Sequence, residues 1–90
     1  MEFLKVDNKN MFVAHRGNIS VLKSYNKIIA IVDRGLIYIN SDFYNYSKTT
    51  ARHLNLFLEI NAKQFKENCK NNEYIFVPDN EITEMFYGIE

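Results

Sequence analysis

The sequence predicts an α+β fold, a small antiparallel meander of about four to six strands packed on a central helix. Three observations carry that expectation. The chain has 90 residues, 47% of them apolar and 14% aromatic, which suffices for one hydrophobic core. Its front half is a series of short β-branched segments punctuated by Asn, Asp and Gly. After Tyr46 the apolar spacing changes from the period of a strand to that of a helix. A chain this short buries only roughly 60% of the surface it exposes when unfolded, so the core is modest. No linker, repeat or low-complexity tract divides it, and residues 1–90 read as a single domain.

Glu2–Val6 and Met11–Ala14 are short apolar segments separated by the turn-forming run Asp7-Asn8-Lys9-Asn10. Arg16-Gly17-Asn18 makes a second turn, after which Ile19–Ser24 alternates in part. Tyr25-Asn26 is short enough for a hairpin loop, with Asn expected to take the positive φ. Lys27–Val32 is continuously apolar after its first residue, the pattern of a central strand covered on both faces. Asp33-Arg34-Gly35 suits a three-residue hairpin loop, and Leu36–Asn40 completes the meander.

Ser47 is the expected N-cap of the central helix, because its hydroxyl can accept from an orphan first-turn amide, with Tyr46 placed to staple onto Ala51. At 100° per residue, Ala51, Leu54, Leu56, Phe57, Leu58 and Ile60 cover most of the circumference, which predicts packing on more than one side. Asn61, with Gln64 three residues on, caps a short middle helix carrying Ala62, Phe65 and Cys69 on one face. Glu73–Val77 reads as a strand closed by Pro78. Asp79 or Asn80 then caps a C-terminal helix whose Ile82, Met85, Phe86 and Ile89 repeat at helical spacing.

The charges cancel, 11 basic against 11 acidic, which removes the simplest argument for a polyanion binder. They are unevenly placed, however. Residues 1–72 hold all 11 bases and 6 acids, and residues 73–90 hold Glu73, Asp79, Glu81, Glu84 and Glu90 with no base. Cys69 is the only cysteine, so no internal disulfide forms, which suits a reducing compartment. The first residues lack the basic and apolar regions of a secretory signal. The longest aliphatic run, Ile28–Val32, is far short of the roughly 20 residues that span a bilayer. A cytoplasmic location in a bacterial cell is therefore expected, with no membrane partner. Asn, Ile, Lys, Phe and Tyr supply 43 residues, whereas Ala, Gly, Pro and Arg supply 11, the usage of an AT-rich genome.

No catalytic constellation stands out. There is no Gly-rich phosphate loop and no paired-carboxylate motif. His15, His53 and Cys69 lack metal-ligand spacing, so neither a metal nor another cofactor is expected. His53 reads as a semi-buried histidine satisfied by a hydroxyl or carbonyl in preference to a general base. Two binding surfaces compete. Tyr44 and Tyr46 beside Lys48 and Arg52 pair base-stacking rings with phosphate-holding cations, as a single-strand binder requires. The acids Glu73, Asp79, Glu81 and Glu84 form a candidate partner-binding stretch able to enter a basic groove, although acids at a helix start are also stabilised by its dipole.

Ser24-Tyr25-Asn26-Lys27-Ile28-Ile29-Ala30, followed by Tyr46-Ser47-Lys48-Thr49-Thr50-Ala51-Arg52-His53-Leu54-Asn55 and Phe57-Leu58, resembles a family of small uncharacterised proteins from phages, plasmids and low-GC bacteria. The resemblance covers residues 18–58 and implies no activity. It singles out Tyr25, Asn26, Thr49, Thr50 and His53, which a hydrogen-bonded tie between the Ser-Tyr-Asn turn and the helix start would explain. The sequence thus points to a non-enzymatic interaction protein of a phage or mobile element. Its partner would be a host or phage protein, and it would block a host defence nuclease or complex in the manner of an anti-CRISPR. The alternative is a small nucleic-acid-binding accessory protein.

Overall fold

The computed structural model describes all 90 residues and bears out the α+β expectation. Six strands, β1 (Leu4–Lys5), β2 (Met11–Arg16), β3 (Ile19–Ser24), β4 (Lys27–Asp33), β5 (Leu36–Asn40) and β6 (Ile75–Val77), form one open sheet in chain order. The first five are antiparallel neighbours. Helices α1 (Lys48–Leu58) and α2 (Ala62–Lys70) carry the chain over to β6, which pairs parallel with β5. Helix α3 (Asp79–Ile89) follows at once. The outer strands β1 and β6 are shorter than the segments Glu2–Val6 and Glu73–Val77 that the apolar pattern marks out.

The doubly covered central strand is present. Ile29 and Ala30 of β4 join Met11, Leu22, Ile39, Leu54 and Tyr74 in a core beneath α1 and α2. Ile28 and Ile31 join Val21, Val77, Ile82 and Phe86 in a second core beneath α3. A register shift between Leu22 and Lys23 leaves Ile29 as an extra residue on β4. This bulge lets consecutive Ile29 and Ala30 serve the same core. The two cores lie on opposite faces of the sheet, making three layers.

The turns depart from the sequence reading in an informative way. Asp33 pairs directly with Leu36, so the β4–β5 loop is the two residues Arg34 and Gly35, at φ 49° and 88°. Two successive positive φ values mark a type I′ turn, whose twist matches the flanking strands. Ser24 pairs with Lys27, confirming the two-residue Tyr25-Asn26 loop, but Tyr25 and not Asn26 takes the positive φ, at 57°.

The helix ends follow local chemistry. Ser47 Oγ accepts from the Thr50 amide at 3.1 Å, as expected of the α1 cap, and Asn61 Oδ1 accepts from the Gln64 amide at 2.8 Å to cap α2. Tyr46 does not staple: its side chain is exposed, with its ring 5.7 Å from that of Phe43. Nor is α1 packed all round. Thr50, His53 and Leu54 are buried, whereas Leu56 is half exposed. The N-cap of α3 is Pro78, which has no side-chain acceptor, and the Asp42 carboxylate accepts from the Asp79 amide at 2.8 Å instead. The Asp79 side chain is thereby free to accept from Asn40 Nδ2 at 2.8 Å and from Lys27 Nζ at 3.3 Å.

Asn40, fully buried at the end of β5, organises this junction. Its Nδ2 donates to the Ile28 carbonyl at 2.9 Å and to Asp79, while its Oδ1 accepts from the amides of Asp42 at 3.0 Å and Phe43 at 3.1 Å. Both donors and both acceptor positions of the amide are used. Replacing Asn40 with Leu strands those partners, and we expect thermal or urea unfolding to show a loss of about 2–4 kcal/mol. Unchanged stability would show that these bonds are replaceable.

Candidate functional site

The residues singled out by the sequence motif converge at one end of the sheet. Ser24 and His53 are both buried, and Ser24 Oγ lies 2.8 Å from His53 Nδ1. This is the tie between the hairpin and the helix that the motif implies. Thr50 is buried one turn before His53, its hydroxyl 3.1 Å from that of Ser47, and Thr49 is half-buried beside it. Tyr25 places its ring 6.2 Å from that of His53 and remains half exposed.

Above this tie lies a cleft of about 410 Å³, lined by Ser24, Tyr25, Asn26, Lys27, Ile29, Phe43, Tyr46, Ser47 and Thr50. Its aromatic walls come from two sources. Tyr25 projects from the β3–β4 turn, and Phe43 and Tyr46 come from the loop that Asn40 fixes. Lys27 Nζ sits 4.8 Å from the centre of the Phe43 ring while bonded to Asp79, so one ammonium group links the cleft to α3.

Tyr25 occupies a demanding position. It is the first central residue of a two-residue turn and has a positive φ, whereas Asn26 does not. The β2–β3 turn has the same pattern with Gly17, at φ 57°. A type II′ turn takes glycine at that position. A side chain there costs roughly 1–2 kcal/mol through the clash of its Cβ with the carbonyl. The turn is anchored by the Tyr25 amide, which donates to the Asn10 carbonyl at 2.7 Å, and by the Ser24–His53 bond.

The charges that reach His53 are positive. Burial holds His53 below its ordinary value, and the nearby charges of Lys9 and Arg52 lower it further. The imidazole is therefore neutral at pH 7, enclosed, and bonded to Ser24. The layer from Lys48 to Lys70 carries five bases against Glu59 and Glu67, whereas Asp79 to Glu90 carries four acids and no base. The sheet thus separates a basic layer from an acidic one.

The two surfaces expected from the sequence fare differently. Tyr46, Lys48 and Arg52 are exposed, but Tyr44 is half-buried, with the rings of Phe76 at 5.2 Å and Phe65 at 6.0 Å. Of the four acids, Asp79 is held by Lys27 and Asn40, and Glu73 lies across β6 from the start of α3. Glu81 and Glu84 remain exposed on α3. Cys69 is half-buried against the α1–α2 core, its thiol pushed up by burial. His15 bonds Ser20 at 2.8 Å on the surface. Sequence reasoning missed Lys27 and Asn40. A lone base heading an apolar strand marks the first, and the turn-forming run Asn40-Ser41-Asp42 marks the second.

A family model described as a family of unknown function (DUF8033) matches residues 3–75. The match contains the whole motif and the lining of the cleft and ends before α3. Searches of curated proteins and of solved structures found no match.

Because His53 is held neutral, the unfolded chain binds more protons than the folded one between its lowered value and about 6.5. Its contribution is complete above that range and is lost as pH falls through it. We expect melting temperature to fall from pH 8 to pH 5.5, and His53→Gln to flatten that fall while lowering stability throughout. An unaltered slope in the variant would contradict the assignment.

Proposed function

The chain belongs to this family of unknown function, and we propose that it is a non-enzymatic binding protein for single-stranded nucleic acid, working as an accessory protein of a phage or mobile element in the bacterial cytoplasm. The observation that carries the reading is the cleft of about 410 Å³ with Tyr25, Phe43 and Tyr46 on its walls, on the side of the sheet where Lys48–Lys70 holds five bases against two acids. Every base presents a π-face to an aromatic ring, and cations beside the rings hold the phosphates. Neutral net charge does not oppose this, because Lys48–Lys70 holds five bases against two acids, whereas Asp79–Glu90, across the sheet, holds four acids and no base. Double-stranded nucleic acid fits less well, since its bases are stacked and unavailable to the rings.

A second reading rests on Glu81 and Glu84, which are exposed on a helix with no base. In it, α3 occupies a basic groove on a host defence nuclease or complex and stands in for phosphates.

Fluorescence anisotropy with a labelled oligothymidylate separates the two. Affinity should fall steeply with salt as counterions are released, and Lys48→Ala with Arg52→Ala should reduce the slope of log K against log salt by about 1.4, two single-strand phosphate contacts. Glu81→Gln with Glu84→Gln should leave affinity unchanged. No salt-dependent binding, or a slope unaffected by the Lys48 and Arg52 pair, would refute the reading and leave the α3 surface as the better one.

A further inference from the structure

We propose that Tyr25 and Tyr46 form a clamp that takes one unpaired base of the strand, and that the strand continues over the β3–β4 hairpin tip into a second cleft. This deepens the single-strand reading and rests on it. Three features support the clamp. Tyr25 is held in a backbone conformation suited to glycine, yet half of its side chain faces solvent and cannot be explained by core packing. Tyr46 is 76% exposed at the same cleft, with the Phe43 ring 5.7 Å from its own. The cleft that both line is about 410 Å³, within the range of about 300–1,000 Å³ of small-molecule sites and large enough for a base with its sugar.

The polar groups suit a base as well as the rings do. Asn26 is exposed, and its side-chain amide makes no hydrogen bond within the chain, leaving a donor and an acceptor for a base edge. The hydroxyls of Ser47 and Thr50 already bond each other. They close the base of the cleft without competing for the ligand.

A strand is favoured over a free nucleotide by what lies next to the cleft. A second cleft of about 310 Å³, on the α3 side of the sheet, shares Asn26 and Lys27 with the first and adds Phe3, Lys23, Asp79 and Tyr87. Lys23 Nζ stands 4.5 Å from the centre of the Phe3 ring, and Tyr87 is 68% exposed. Two adjoining spaces, each with a tyrosine, and the Lys23 ammonium, which makes no ion pair within the chain, suit successive bases and a phosphate of one strand.

The test is photocrosslinking of an oligothymidylate of about 12 nucleotides carrying one 5-iodouracil, with the adduct mapped by mass spectrometry. Adducts on Tyr25 or Tyr46 are expected. Tyr46→Ala and Tyr25→Gly should each weaken binding about 5- to 150-fold, the loss of one stacked base, and Tyr25→Phe should retain it. Tyr46→Ala alters an exposed side chain, and Tyr25→Gly suits the turn, so neither result should be confused with unfolding. Thymidine monophosphate should compete far more weakly than the oligonucleotide. Competition as strong as the oligonucleotide's would overturn the strand path in favour of a nucleotide site. Adducts confined to α2, with both tyrosine variants binding normally, would overturn the clamp while salt-dependent binding by the protein still stood.

Discussion

Asn40 joins four parts of the chain through one buried amide. Its bonds reach the Ile28 carbonyl on β4, the amides of Asp42 and Phe43 in the loop before α1, and the Asp79 carboxylate at the start of α3. Asp42 returns the favour to α3 by accepting from the Asp79 amide, because Pro78 offers no side-chain cap. The strand end, both helical layers and the Phe43–Tyr46 wall of the cleft are positioned together. A buried polar network is stabilising only when it is complete, and this one uses every donor and acceptor of the central amide.

A second tie, Ser24 to His53, fixes the other wall by fastening the β3–β4 hairpin to α1. It holds Tyr25 where the backbone favours glycine. Strained residues persist where the surroundings over-determine them, and they concentrate at sites of function. Lys27 connects the two ties, since it pairs with Ser24 across the hairpin while its ammonium bonds Asp79 and lies over Phe43. The sheet meanwhile keeps the acids of α3 away from the bases of α1 and α2. An electrically neutral chain can therefore present one positive face to a polyanion, because local field and not net charge governs association at short range.

Much of the fold was legible because local patterns and tertiary packing agree. The apolar run at Ile28–Val32 required cover on both faces, and the Ser47 and Asn61 caps placed two helix starts. The signals that misled were those decided by distant partners. Asp79 resembles an N-cap but is drawn to Lys27 and Asn40, and Tyr46 resembles a staple but faces solvent at the cleft. Tyr25 took the turn conformation expected of its neighbour Asn26, which no propensity scale favours. The site was half visible. The motif named Tyr25, Asn26, Thr50 and His53, but their meeting depends on pairing β3 with β4 and seating α1 against β3, which requires the register.

Chemical-shift perturbation in the ¹⁵N–¹H spectrum on adding oligothymidylate tests the central claim most directly, because it reports which residues meet the ligand. The account predicts shifts at Ser24–Lys27 and Phe43–Arg52, and at Tyr87 where the strand reaches the second cleft, with the amide of Glu81 unmoved. Shifts confined to Glu81 and Glu84, or none at all, would contradict it.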